Sequence, residues 1–158
     1  MACMIITITK TARLVYNGYI HTKDVIKIPG INLYEYQVAA MVNAERGKAG
    51  LRALVWDDKL SDIARLKSDD MRTQNYCGHE SPVYGSPFDM LQNFRVDYRR
   101  AGENVAMGYR TPGEVMAGWM DSPGHRHNIM GSDYERIGVG VVMNPYGSIY
   151  WTQLFVSV

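Results

Sequence analysis

The chain has 158 residues, 46% of them hydrophobic and 21% charged, and a formal net charge of +1. That balance suits one compact domain with a single substantial core. It gives no field to draw in nucleic acid, and the one tight basic pair, Arg99 and Arg100, is too small to track a phosphate backbone and reads as a solvated loop.

No apolar stretch is long enough to span a bilayer, and the N-terminus lacks a basic region ahead of a sustained apolar run, so no export signal is visible. Two cysteines, Cys3 and Cys77, imply no disulfide framework.

Residues 4–16 and 19–28 are rich in Ile, Thr, Val and Tyr and flank Asn17-Gly18, a type I′ hairpin signal. Pro29-Gly30 breaks the pattern, which divides the chain into a hairpin extension and linker, 1–30, and a main domain, 31–158. The spacing of Tyr34, Val38, Met41 and Val42 predicts a helix over 34–49, stopped by Gly47 and Gly50. After 51–56, Asp57 or Asp58 caps a second helix running to about residue 75, with Leu60, Ile63, Ala64 and Met71 as its apolar stripe and a charged, solvated opposite face.

Residues 76–82 have no helical period and carry His79 in a loop. Ser86-Pro87-Phe88-Asp89 opens a short helix to about residue 94, and 102–107 reads as a buried strand start. Thr111-Pro112-Gly113-Glu114 opens another helix, with Val115, Met116, Trp119 and Met120 inward.

Ser122 then sits at an N-cap position, Pro123 at the first helical position, His125 in the first turn and Ile129 one turn on, on the same face. The positive helix end disfavours an imidazolium, so His125 tends to the neutral form. His127 points to the other side and cannot chelate with it. Ile137, Val139, Val141 and Met143 alternate with Gly138 and Gly140, Asn144-Pro145-Tyr146-Gly147 fits a type I turn, and 148–156 returns as a hairpin strand. The bare glycine face requires close approach by a backbone element or a ligand.

His79, Glu103 and His125 lie near element ends, where a fold most easily joins distant side chains. Two histidines and one carboxylate with an open fourth position would suit zinc and lower the pKa of a bound water to about 7; without metal the same set could do acid/base work. Taken singly, each histidine is more simply a side chain bonded to backbone; the motif context below outweighs that. His79-Glu80 is no zincin motif, because residue 83 is Val. Cys77 reads as a small buried thiol rather than a second ligand beside His79, the methionines as packing, and His21 and His127 as surface residues.

The segment from about 34 to 156 resembles the CAP superfamily (cysteine-rich secretory, antigen 5 and pathogenesis-related 1 proteins, or SCP-like), most nearly its single-domain bacterial branch. The matching runs are Val42-Asn43-Ala44-Glu45-Arg46, His79-Glu80-Ser81-Pro82, Tyr84-Gly85-Ser86-Pro87, Ala101-Gly102-Glu103-Asn104-Val105-Ala106, the stretch from Trp119 through His125 to Ile129, and Ile137-Gly138-Val139-Gly140. Their order makes the resemblance specific.

It implies an α+β fold, an α-β-α sandwich with a small antiparallel sheet between helical layers, carrying the N-terminal hairpin as an extension. It also implies that His79, Glu103 and His125 converge in one cleft, His79 and His125 being the ligands of zinc or another divalent cation. The family's second acid is expected three residues after Trp119, where this chain has Ser122; Asp121 is the nearest carboxylate, and both are expected at the cleft.

The resemblance points to an extracellular or cell-envelope location but does not fix the activity; the intact His79, Glu103 and His125 set with an incomplete fourth position points to a binding module for a lipid, glycan or peptide, as a monomer or weak dimer. The alternative is a metal-dependent hydrolase in which a metal-bound water attacks and Glu103 is the general base.

Overall fold

The computed structural model describes residues 31–158, so the hairpin expected within 1–30 lies outside the described residues. The element order is α1 (Ile31–Lys48), β1 (Val55–Trp56), α2 (Asp58–Gln74), α3 (Pro87–Asn93), β2 (Arg100–Met107), α4 (Pro112–Asp121), α5 (Pro123–Ile129), β3 (Arg136–Met143) and β4 (Ile149–Ser157). The four strands form one sheet in the order β1-β3-β4-β2. It is mixed rather than purely antiparallel, because the two-residue β1 runs parallel to β3.

Local chemistry sets the helix ends where the sequence places them. Asp57, not Asp58, caps α2 by accepting from the Leu60 N–H, and Asn75 closes it in the left-handed region. Ser86 and Asp89 form a reciprocal capping box on α3, and Thr111 caps α4 through the Glu114 N–H. Ser122 departs from expectation: it occupies the N-cap position of α5, but its hydroxyl makes no capping bond. The residue is also the C-cap of α4, its own N–H bonded to the Trp119 carbonyl, so the end of the earlier helix fixes its orientation.

Alternation along β4 divides the core between two faces. Ile149, Trp151 and Phe155 pack with Val38, Val42, Val115, Trp119 and Ile129 of α1, α4 and α5. Leu154 and Val156 pack with Leu60, Ile63 and Ala64 of α2 and Met90 and Leu91 of α3. The bare face of β3 meets a backbone element and not a ligand: a Cβ on Gly138 would lie 2.3 Å from Leu60 C, and one on Gly140 2.1 Å from Ala64 C. The two glycines let α2 lie directly on the strand.

Both sheet edges are covered by side chains where no strand continues the ladder. On β3, Ser61 Oγ accepts from the Val139 N–H and Glu35 Oε1 from the Val141 N–H. Glu35 is fully buried and also takes a forked pair of bonds from Arg65, at 2.9 and 2.7 Å. On β2, Asn128 Nδ2 donates to the Glu103 carbonyl and Trp119 Nε1 to the Val105 carbonyl.

Three sequence-based expectations are corrected. Met41 is 38% exposed, because the buried face of α1 runs through Glu35, Val38, Ala39, Val42 and Arg46, a set rotated away from it. Cys77 is exposed: the loop leaving α2 turns outward after the half-buried Tyr76. Arg100 opens strand β2 rather than lying in a loop, with its exposed side chain paired to Asp133.

Candidate functional site

Strand β2 lies at the edge of the sheet and presents alternate residues to the two helical layers. Glu103 is opposite Leu154 and therefore on the α2 face, whereas Asn104 is opposite Gln153 and on the α4–α5 face. One dipeptide thus serves both layers.

On the α2 face, His79 Nδ1 and Glu103 Oε1 are 2.7 Å apart. The imidazole side chain is 52% exposed and the carboxylate side chain 2% exposed, so a buried acid holds an accessible ring. The second oxygen, Glu103 Oε2, is buried with no protein hydrogen-bond partner. The bond to Glu103 raises the His79 pKa above the ordinary imidazole range, against the opposing effects of burial and of the Lys67 charge.

On the other face, Asn104 Nδ2 donates to the His125 carbonyl at 3.1 Å and to Gln153 Oε1 at 3.0 Å, while its Oδ1 accepts from Asn128. Asn128 also holds the Glu103 carbonyl. These bonds seat α5 on β2 and hold the backbone of His125 against the edge strand.

Partial burial lowers the His125 pKa, and the charge of His79 lowers it further. The neutral form is favoured as expected, through burial and a neighbouring imidazole. His127 is exposed, as expected from its position on the helix.

The sequence-predicted residues therefore divide. His79 and Glu103 are in direct contact, and His125 is linked to them through the bond from Asn104 to its carbonyl and through the effect of the His79 charge on its ring. Asp121 and Ser122 do not join them by hydrogen bonds: Asp121 is exposed at the end of α4, and Ser122 is the half-buried junction between two helices.

A set of residues missed by the sequence reading lies beneath His79. Lys67 Nζ donates to the His79 carbonyl at 2.7 Å and to the Tyr76 hydroxyl at 2.9 Å. Tyr76 in turn donates to Asp70 Oδ2, which also accepts from Ser81 Oγ at 2.7 Å. Desolvation lowers the Lys67 pKa and, with the bond to Asp70, raises that of Tyr76. The signal was present: Lys67 falls on the apolar stripe between Ala64 and Met71, where a solvated charge does not belong.

The pattern of a carboxylate holding one imidazole nitrogen is also how a metal-ligating histidine is oriented. Among the described residues, however, no group of three or more His, Cys, Asp or Glu side chains is disposed to hold a metal ion. A divalent cation here would have no more than the two imidazoles of His79 and His125 as protein ligands, with Glu103 behind His79. Two shallow hollows, of about 330 and 360 Å³, lie away from these residues, around Arg52, Glu135 and Arg136 and around Arg99, Arg100 and Asp133. Several of their charges are already paired, Arg136 with Asp57 and Arg100 with Asp133, so the titratable cluster at His79 is the better candidate for chemistry.

An α-β-α sandwich with a His79–Glu103 pair at one sheet edge defines the class, and the sequence agrees. The profile of the cysteine-rich secretory protein family (CAP) matches residues 39–155, and the chain belongs to that family. It is 51% identical over 127 residues to YkwD of Bacillus subtilis (strain 168), covering 80% of this chain and 48% of that protein. It is 39% identical over 123 residues to the membrane protein YlbC of the same organism, covering 78% of this chain and 34% of that one. The chain thus spans half or less of these relatives.

Among solved structures, an extracellular protein containing a SCP domain from Bacillus anthracis superposes with a TM-score of 0.77 at 32% identity, over 91% of this chain and 46% of that one. An outer surface protein from Borrelia burgdorferi shares the fold, with a TM-score of 0.70 at 20% identity, over 76% of this chain and 89% of that one.

The His79–Glu103 bond makes a titration prediction. Glu103→Gln is expected to bring the His79 pKa back down toward about 6.5, read from its ring protons by NMR. A raised folded-state pKa stabilises the fold fully below the unfolded value and is lost as pH rises through the folded one. The stability advantage of wild type over Glu103→Gln should therefore be largest below about pH 6.5 and shrink as His79 deprotonates. An unchanged His79 titration would mean that the carboxylate does not hold the ring.

Proposed function

We propose that this chain is an extracellular or cell-envelope binding domain in which His79 and His125 together hold a divalent cation and, through it, a lipid, glycan or peptide ligand. The observation that carries this reading is the accessible His79 ring fixed at 2.7 Å by a buried carboxylate, with a half-buried His125 close enough to feel its charge. A ring held at Nδ1 offers Nε2 outward, and zinc takes four ligands, so two imidazoles leave positions for water or ligand oxygen. Similarity to an extracellular SCP-domain protein supports a location outside the cytoplasm, and no helix among the described residues is long and apolar enough to cross a membrane.

Glu103 favours binding over hydrolysis. One oxygen is engaged with His79 and the other is buried, so neither is placed to take a proton from water in the open site. The test is calorimetric titration of zinc into wild type and into His79→Ala/His125→Ala. Binding to wild type that disappears in the double variant is expected, and equal heats would reject these ligands. Zinc-loaded protein should turn over no peptide, ester or glycan in a broad panel; turnover that His125→Ala abolishes would replace the binding reading with a hydrolytic one.

A further inference from the structure

We propose that Lys67 is a positioning residue of this site: its buried ammonium, held between the His79 carbonyl oxygen and the Tyr76 hydroxyl, fixes where the imidazole meets Glu103. The inference deepens the proposed binding site, but its main test is made without metal and does not depend on cation binding.

The argument begins with cost. Lys67 is 1% exposed, and an ammonium taken out of water loses several kcal/mol unless its donors are used. Helix α2 here uses them on the loop that carries His79. Lys67 bonds the His79 backbone directly. Tyr76, three residues before His79, and Ser81, two after it, are both tied to Asp70 of the same helix. Ser81 Oγ also accepts from the Val83 and Tyr84 N–H groups, and the Ser81–Gly85 bridge closes the turn that follows. The loop is thus gripped before, at and after the histidine by one face of α2.

Glu103 is placed by a different frame, the β2 ladder. A 2.7 Å contact between the two requires that loop and strand keep register to a few tenths of an ångström, and Lys67 is the group that touches the loop at His79 itself. An ammonium has three protons, two of which are engaged here, and the carboxylate acting most strongly on its charge is Glu103, whose Oε2 lacks a protein partner. A merely structural role, as counter-charge to Asp70, would stabilise α2 without setting the state of the His79 ring.

The experiment compares wild type, Lys67→Met and Lys67→Gln as the full chain, metal-free and ¹⁵N-labelled, at a pH above the end of the wild-type His79 titration, where its ring is neutral. Wild-type His79 should carry its proton on Nδ1, donated to Glu103. In the folded variants the proton should redistribute toward Nε2, with His127 as the unchanged internal reference. Zinc affinity, where wild type shows it, should fall about tenfold or more, as when an outer-shell partner of a metal ligand is lost.

A folded variant that keeps the wild-type His79 ring shifts overturns the proposal. If neither variant folds, Tyr76→Phe removes one of the two acceptors of Lys67 while keeping the ring. It should give the same change in smaller degree, and an unaltered His79 spectrum there would equally overturn the proposal. Absence of zinc binding by wild type would count against the metal reading alone, because the ring spectra do not involve it.

Discussion

Gly140→Ala is expected to lower the melting temperature by about 10 °C or to prevent folding, measured by thermal circular dichroism. The added methyl would sit 2.1 Å from Ala64 C and Arg65 N and 2.4 Å from Ala64 O, all backbone atoms of α2. No side-chain rotation relieves a clash with backbone, so the helix itself must move off β3. That displacement opens the layer built from Leu60, Ile63, Ala64, Leu154 and Val156. Overpacking of this kind costs about 3 kcal/mol, more where the frame is rigid, and each kcal/mol is worth about 3 °C in a domain of this size. The site should suffer with the fold, because α2 also carries Lys67 and Asp70. A melting temperature within about 2 °C of wild type would show that α2 is not seated on the strand as described.

Asn104→Ala is expected to cost about 3 kcal/mol in urea denaturation and to free His125 from its position. Asn104 is fully buried, and its side chain serves three partners: the His125 carbonyl, Gln153 Oε1 and Asn128 Nδ2. Truncation leaves those groups short of a bond in a dry interior, at about 1–3 kcal/mol for each one that water cannot reach. It also removes the bond from the strand to the backbone of His125, so the histidine ring signals should shift and the effect of the His79 charge on His125 should weaken. An unaltered His125 spectrum, or a stability loss below about 1 kcal/mol, would mean that α5 is held chiefly by the packing of Ile129.

Both expected outcomes follow from how the site is held. His79 belongs to the α2 layer and His125 to the α4–α5 layer, and the edge strand between them turns Glu103 toward the one and Asn104 toward the other. Cations and amides bonded to backbone support both sides. Arg46, fully buried, donates to the carbonyls of Arg52, Ile129 and Gly131 and so ties the end of α5 to α1.

The sequence by itself determined the local elements. Helix starts were legible in Asp57, Ser86-Pro87 and Thr111-Pro112, because capping and proline geometry are decided within four residues. The β3–β4 hairpin was legible because period-two alternation and a turn are local too. His79, Glu103 and His125 could be picked out by residue type and motif.

Tertiary structure alone decided what the glycine face of β3 receives, that Met41 and Cys77 lie outside the core, and that the Ser122 hydroxyl makes no capping bond. It alone decided, too, that Lys67, Asp70 and Tyr76 form one network under His79. The reason is the same in each case. Burial of a charge or approach of two backbones depends on which faces two distant elements turn toward each other, and no spacing along a single element records that.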